Sequence, residues 1–282
     1  MKIVEKIHDM QNLVHQIKTE GKTIGFVPTM GYLHEGHLSL IKRAKAENDV
    51  VVLSIFVNPL QFGPNEDYET YPRDIERDQK LAEEIGVDYL FSPTVQEMYP
   101  KEPTISIKVI KRTNVLCGRS RVGHFDGVAT VVLKLLHIVQ PNRAYFGLKD
   151  AQQVAVISGL IEDLNIPVEL VPVETVREQD GLAKSSRNVH LTPSERNEAK
   201  HLYQSLLLGK KLIVQGERNP ETIIQEMESY LSKQISGEID YIEMYSYPDL
   251  TPLPYVKGRV IIALAVKFSK ARLIDNIILH VD

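Results

Sequence analysis

One cysteine, Cys117, stands in 282 residues. The chain can therefore neither close an internal disulfide nor build a thiolate metal centre, and a reducing compartment is the simpler setting. Cys117 itself is expected to be a small core residue. Long apolar runs are missing too. No stretch approaches the ~20 apolar residues of a membrane helix, and Lys2, Glu5, Lys6 and Asp9 break up the start of the chain where a secretory leader would need an apolar segment. A cytoplasmic protein is the expectation. No lysine or arginine run is long enough to track a nucleic-acid backbone, and the net charge is −4, which argues against a nucleic-acid partner but leaves room for a local basic pocket that takes a small anion. Internal repeats and low-complexity segments are also absent. What is there is an ordinary globular composition, 43% hydrophobic and 25% charged, in a chain long enough for two domains of unequal size.

The most informative stretch is residues 23–46. An apolar strand, residues 23–27, runs into a turn, Pro28 to Leu33, and then into His34-Glu35-Gly36-His37 at the head of a helix. A glycine-bearing turn from strand to helix aims the helix's free N–H groups and positive dipole end at whatever lies above it, which suits an anion. His34 and His37, three residues apart, fall on one face of the first helical turn, so phosphate chemistry is the expectation. Zinc is disfavoured. The metalloprotease pattern needs histidines four apart with glutamate directly after the first, and no third ligand is recognisable.

The rest of the chain reads as alternating elements. The pattern predicts a helix over 3–19, a strand over 49–57 buried on both faces, a functional flap over 58–72, a helix over 74–85 ended by Gly86, and a short strand at 88–91. A strand with one wet face follows at 104–109. A basic glycine-containing turn, 118–127, leads into an apolar helix over 128–139, which His124 and Asp126 could cap. The strand 144–146 opens on Gly147, Leu148, Lys149 and Asp150, with Asp150 as N-cap of a helix reaching Leu164. Residues 168–173 supply a last strand. Roughly five strands alternating with helices make a doubly wound parallel sheet, in which ligands sit beyond the carboxyl ends of the strands.

A polar link over 176–192 is expected to act as a hinge. After it come helices over 194–214 and 220–234 and strands over 239–245, 259–268, 271–276 and 277–281. The expected domains are thus 1–175 and a smaller α+β lid, 176–282. Lysines are solvated by default. Lys149 stands out because glycine and a capping aspartate surround it after a strand, and Lys184-Ser185-Ser186-Arg187 concentrates donors that could clamp a polyphosphate. Asp74 and Asp78 could reach a hydrated Mg²⁺, although the residues name no metal ligand. Gln61 and Gln153 are ambiguous on residue type alone.

His-x-Gly-His after a strand, with a later Lys-Ser-Ser-Arg, resembles the two signatures of class I aminoacyl-tRNA synthetases and related nucleotidyltransferases. The resemblance narrows with Pro28-Thr29-Met30-Gly31-Tyr32-Leu33-His34-Glu35-Gly36-His37, Phe56-Val57-Asn58-Pro59-Leu60-Gln61-Phe62, Tyr71-Pro72-Arg73, Gly123-His124-Phe125-Asp126-Gly127, Phe146-Gly147-Leu148-Lys149-Asp150, Ser185-Ser186-Arg187-Asn188 and Ala271-Arg272-Leu273-Ile274-Asp275-Asn276. Taken together these resemble the pantothenate synthetase family over essentially the whole chain.

The resemblance implies a Rossmann-like first domain, a homodimer, and ATP- and Mg²⁺-dependent joining of pantoate to β-alanine through a pantoyl adenylate, with release of pyrophosphate and AMP. It carries catalytic roles to His34, His37, Lys149 and Arg187. ATP binding falls to those four with Met30, Gly147, Asp150, Val176, Lys184, Ser185 and Ser186. Substrate binding falls to Gln61 and Gln153, with Arg121 and Tyr71 as neighbours of the site. Two positions depart from the family's usual residues. Leu148 stands where glutamate is commoner, removing a peripheral polar contact, and Lys184 where methionine is commoner, adding a cation. A nucleotidyltransferase that keeps the nucleotide in its product and a non-enzymatic nucleotide-binding module are the other classes the residues alone allow.

Overall fold

Residues 50–54 are buried whichever way their side chains point, as befits a strand inside a parallel sheet. The computed structural model describes residues 1–64 and 66–282. Asn65, which falls in the expected flap, lies outside the described residues. In chain order the elements are β1 (Lys2–Val4), α1 (Ile7–Thr19), β2 (Ile24–Thr29), α2 (Glu35–Glu47), β3 (Val50–Ile55), α3 (Ile75–Glu84), β4 (Tyr89–Phe91), α4 (Val95–Met98), α5 (Leu116–Ser120), α6 (His124–Val139), β5 (Arg143–Gly147), α7 (Ala151–Asp163) and β6 (Glu169–Val173). The C-terminal part adds α8 (Pro193–Val214), α9 (Pro220–Leu231), β7 (Glu238–Ser246), β8 (Gly258–Lys267) and β9 (Arg272–Val281). Two compact units result: Met1–Ile110 with Arg121–Leu148 and Val156–Glu174, and Lys111–Ser120 with Lys149–Ala155 and Thr175–Asp282.

In the first unit six strands form one sheet in the order β1-β4-β3-β2-β5-β6, every neighbouring pair parallel. The doubly wound sheet expected from the sequence is therefore present, but one of its six strands is not among those expected. That strand is β1, since Lys2–Val4 pairs with Tyr89–Phe91 instead of extending α1. The strand order reverses between β2 and β5, and the carboxyl ends of those two strands are where such sheets open a crevice for ligand. Val27, Leu33, Ile41, Leu53, Leu90 and Tyr145 lie in its core.

Two other expectations need correction. Residues 104–109 form no strand and are mostly exposed; the alternation is real but has no ladder partner, and Val109 N–H donates instead to Asp126 Oδ1 at 2.8 Å. The helix expected from Val128 starts at His124, which leaves His124 and Asp126 inside its first turn, while Gly123 at φ 81° takes the cap position.

In the second unit β7, β8 and β9 form an antiparallel sheet, and β9 is one continuous strand where two were expected. Leu202 and Leu206 of α8 and Ile223 and Met227 of α9 share a core with Ile262 and Leu264. The segment 176–192 is folded, not a loose link. Arg177 pairs with Ala183 in a β-bridge, donates to both oxygens of buried Asp275 at 2.6 and 2.9 Å, and stacks 3.7 Å from the Tyr203 ring centroid. Among the described residues no helix is long and apolar enough to cross a membrane.

A capping box starts α8. Thr192 N–H donates to Glu195 Oε2 at 2.8 Å, Glu195 N–H donates back to Thr192 Oγ1 at 3.3 Å, and Ser269 N–H reaches Glu195 Oε1 at 2.8 Å. The backbone N–H groups of Thr192 and Ser269 hold the Glu195 carboxyl down to about 2, against an ordinary 4.5. A carboxyl depressed in the folded state adds stability above its unfolded value and loses it as pH falls toward the folded one. Between pH 4.5 and about 2, the melting temperature of wild type should therefore fall more steeply than that of Glu195→Gln. Parallel acid limbs in a pH series of thermal melts would refute this.

Candidate active site

The turn between β2 and α2 is built on two left-handed residues, Gly31 at φ 83° and Tyr32 at φ 50°. It lifts the chain off the end of β2 and delivers His34 as the N-cap of α2. The His34 ring accepts Gly36 N–H at Nδ1, 3.1 Å away, and His37 Nδ1 accepts His34 N–H at 3.3 Å. Two histidines thus form a reciprocal capping box. A Cβ on Gly36 would lie 2.8 Å from His34 Cε1, so glycine there leaves room for the cap. The ring centroids are 4.1 Å apart. Since a backbone N–H can only donate, both Nδ1 atoms are acceptors, and in the neutral rings the proton sits on Nε2. The pair therefore carries two N–H donors at the positive end of α2, an arrangement suited to phosphate oxygens.

Beside this turn, Asn58 caps the tight turn Pro59–Gln61, accepting Leu60 N–H at 3.3 Å. Asn58 is 1% exposed and its amide donates to Gln61 Oε1 at 3.2 Å and to Gly127 O at 3.1 Å, while Tyr99 O–H donates to its Oδ1 at 2.9 Å. The Gln61 amide in turn points at Met30 Sδ, 3.1 Å away. Met30 and Gln61, both expected in the site, are thus in contact. Met30 follows β2 and Gly147 ends β5, one on each side of the switch point. Among the described residues, and its chain neighbours apart, no atom lies within 4 Å of where a Cβ on Gly147 would stand.

Arg121 is not a bare cation. Its Nε donates to Glu66 Oε1 at 2.9 Å, a second nitrogen to Glu66 Oε2, and a third lies 3.1 Å from His124 Nε2. Burial raises the Glu66 carboxyl, but the Arg121 fork outweighs it and leaves the group below its ordinary value. His124 Nδ1 donates to Gln61 O at 2.7 Å, so the Arg121–His124 pair supports the turn that carries Gln61. Tyr71 is 6% exposed and packs edge-on against Phe62, with centroids 5.9 Å apart.

Asp74 and Asp78 do not form a metal cage. Asp74 caps α3, accepting Arg77 N–H at 3.1 Å, and both Asp78 oxygens accept backbone N–H groups, Tyr32 at 2.6 Å and Leu33 at 2.7 Å. Among the described residues no group of three His, Cys, Asp or Glu is placed to hold a metal ion. A cleft of about 280 Å³ borders this turn, lined in part by Met30, Gly31, Tyr32, Phe56, Asp74 and Asp78.

In the second unit Lys149 and Asp150 stand 4.0 Å apart. They belong to a 3-10 turn, residues Leu148–Asp150, that runs straight into α7, so Asp150 is not a distinct N-cap. Lys149 O accepts the Asn276 amide at 2.9 Å. Gln152, not Gln153, is the buried glutamine, and it donates to the carbonyls of Arg112 and Val115 at 2.9 and 2.8 Å; Gln153 is half-buried. Lys184 N–H donates to Val176 O at 2.9 Å, and Ser185 caps the turn Ser186–His190, accepting Arg187 N–H at 3.3 Å. Val176, Lys184, Ser185 and Arg187 therefore sit along one folded ribbon. Sequence reasoning placed Asn58 in the 58–72 flap without giving it a role as an anchor, and missed Arg77, Tyr99 and Glu66. An asparagine three residues before Gln61 was the one local signal.

Residues 2–278 match the family described as pantoate-beta-alanine ligase. A pantothenate synthetase from a Geobacillus species is 62% identical over 281 residues, covering 100% of both chains. One from Bacillus cytotoxicus is 59% identical over 282 residues, again over 100% of both. Among solved structures, the pantothenate synthetase of Thermus thermophilus aligns with a TM-score of 0.93 at 46% identity, over 98% of this chain and 99% of its own. The pantoate-beta-alanine ligase of Francisella tularensis, complexed with beta-gamma ATP and beta-alanine, aligns with a TM-score of 0.80 at 38% identity, over 98% and 97%.

Proposed function

The chain belongs to the pantoate-β-alanine ligase family, a family of enzymes, and from that premise we propose that it condenses pantoate with β-alanine through an enzyme-bound pantoyl adenylate, consuming ATP and releasing pyrophosphate and then AMP. The observation that carries the reading is the reciprocal histidine cap, which turns two Nε2 positions away from the helix backbone at the start of α2, after a turn whose Met30 touches Gln61. A carboxylic acid with a pKa of about 4 is already ionised at neutral pH, so no general base is needed for the first step. The pantoate carboxylate oxygen bonds to the α-phosphorus and the bond to the pyrophosphate oxygen breaks. In the second step the neutral β-alanine amine attacks the acyl carbon and AMP leaves.

What the protein must supply is alignment, donors for charge developing on the phosphoryl oxygens, and exclusion of water from the adenylate. His34 and His37 serve the phosphates, Gln61 reads the pantoate, and Met30 and Gly147 offer apolar or open surface. From the second unit the proposal takes Lys149, Asp150, Val176, Lys184, Ser185, Ser186 and Arg187 for the nucleotide and Gln153 for pantoate, on the motif match. Lys149 and Arg187 share the catalytic role with the histidines. Mg²⁺ would accompany ATP. The described residues offer it no protein cage, so it would be held through the phosphates, as Mg²⁺ commonly is. A cytoplasmic homodimer completes the proposal.

Incubating the protein with ATP, Mg²⁺, pantoate and β-alanine tests the reading. AMP and pantothenate are expected in equal amounts. ADP, a nucleotidylated product or no turnover would overturn it.

A further inference from the structure

We infer that Asp78, with Arg77 beside it, is a positioning residue for adenylation: the first turn of α3 grips the backbone of the β2–α2 turn and so sets where His34 and His37 present their donors. This rests on the proposed function. The grip has three contacts. Asp78 Oδ2 accepts Tyr32 N–H at 2.6 Å, Asp78 Oδ1 accepts Leu33 N–H at 2.7 Å, and an Arg77 guanidinium nitrogen donates to Leu33 O at 2.8 Å. The Arg77 guanidinium also lies over the Tyr32 ring, 5.2 Å from its centroid. Both N–H groups of one peptide pair and the carbonyl that follows are thus held by two adjacent residues of another helix.

The held segment is the one that needs holding. Tyr32 is a non-glycine residue at φ 50°, a conformation that persists where surrounding contacts enforce it. Gly31 is fitted to the same contact, since a Cβ there would lie 3.0 Å from Asp78 Oδ2. Leu33 is fully buried and directly precedes His34, so the peptide that Asp78 fixes is joined covalently to the histidine that caps α2. The carboxylate is 1% exposed. Burial raises Asp78 above its ordinary value in spite of the two backbone N–H groups that favour its charge, so desolvation works against the very carboxylate that holds the turn, which fits a role in placement better than one in stability.

The test uses the full chain with Asp78→Asn and Arg77→Gln, and Asp88→Asn as a structural control. Asp88 likewise accepts a backbone N–H, Val51 at 2.8 Å, but at the amino ends of β3 and β4, away from the turn. A displacement of about 1 Å at a reacting group costs about 10²-fold in rate, so kcat for pyrophosphate exchange should fall by about that factor in Asp78→Asn, with KM for pantoate unchanged. Arg77→Gln, on an exposed side chain that folding tolerates, should lower kcat less. Asp88→Asn should lower the melting temperature and leave kcat alone. Nitrogen spectra of the imidazoles, recorded without substrate, should show the Nε2–H tautomer of His34 and His37 in wild type and lose it in Asp78→Asn. Wild-type kcat in both α3 variants would overturn the inference. So would intact tautomers in a variant whose loss of rate matches its loss of stability. A wild type inactive in exchange would refute the proposed reaction, and the spectra would still decide the grip.

Discussion

Replacing His37 by alanine is expected to lower pantoate-dependent exchange of labelled pyrophosphate into ATP by about 10² to 10³-fold, the usual cost of removing one donor from developing charge, while ATP binding weakens far less. The ring has two jobs in the fold. Its Nδ1 accepts His34 N–H at 3.3 Å, and its Nε2–H is the donor proposed to meet a phosphate. Alanine removes both. Glutamine at 37 separates them, because glutamine is a normal partner at that position of a capping box but cannot place a donor where the imidazole does. Thermal stability should therefore return toward wild type in His37→Gln while exchange stays low. Unchanged exchange in His37→Ala would remove His37 from the chemistry.

Gly127→Ala should damage both stability and recognition of the acid. A Cβ at 127 would stand 2.2 Å from Leu60 O and 2.7 Å from Gln61 Cα. Those are backbone atoms, which cannot rotate away as a side-chain tip could. Overpacking of this kind typically costs about 1 to 3 kcal/mol and at times more, and it outweighs alanine's helix-propensity advantage of about 1 kcal/mol. Relief would come from pushing the Pro59–Gln61 turn off α6, breaking the Asn58 bond to Gly127 O at 3.1 Å and carrying Gln61 away from Met30. KM for pantoate should rise more than KM for ATP, alongside a lower unfolding midpoint. A variant with wild-type stability and an unchanged KM for pantoate would show that this anchor does not orient Gln61.

The parallel sheet was readable because its strands are apolar on both faces and its helices begin and end at recognisable turns. β2, β3 and α2 needed little more than hydrophobic period and the Gly-His signals. β1 was not readable, because three residues beside a charged start match a helix period as well as a strand, and only Tyr89–Phe91, far along the chain, makes them a strand. Residues 104–109 failed in the opposite sense, alternating without a neighbour to pair with. The histidine pair was legible as an anion site, but its reciprocal capping was not, since that depends on rotamers and on Gly36 leaving space. Asp78 was legible only as a carboxylate on a helix. Its partners, Tyr32 and Leu33, lie 46 and 45 residues earlier, and nothing local says that both oxygens are engaged. Asn58 likewise takes its meaning from Gly127, 69 residues away.

Exchange of labelled pyrophosphate into ATP with β-alanine left out tests the two-step reaction most directly. It should require both ATP and pantoate and proceed without the amine, because the adenylate forms before the amine enters. Exchange that appears only when β-alanine is added, with ligation intact, would contradict a free-standing pantoyl adenylate step.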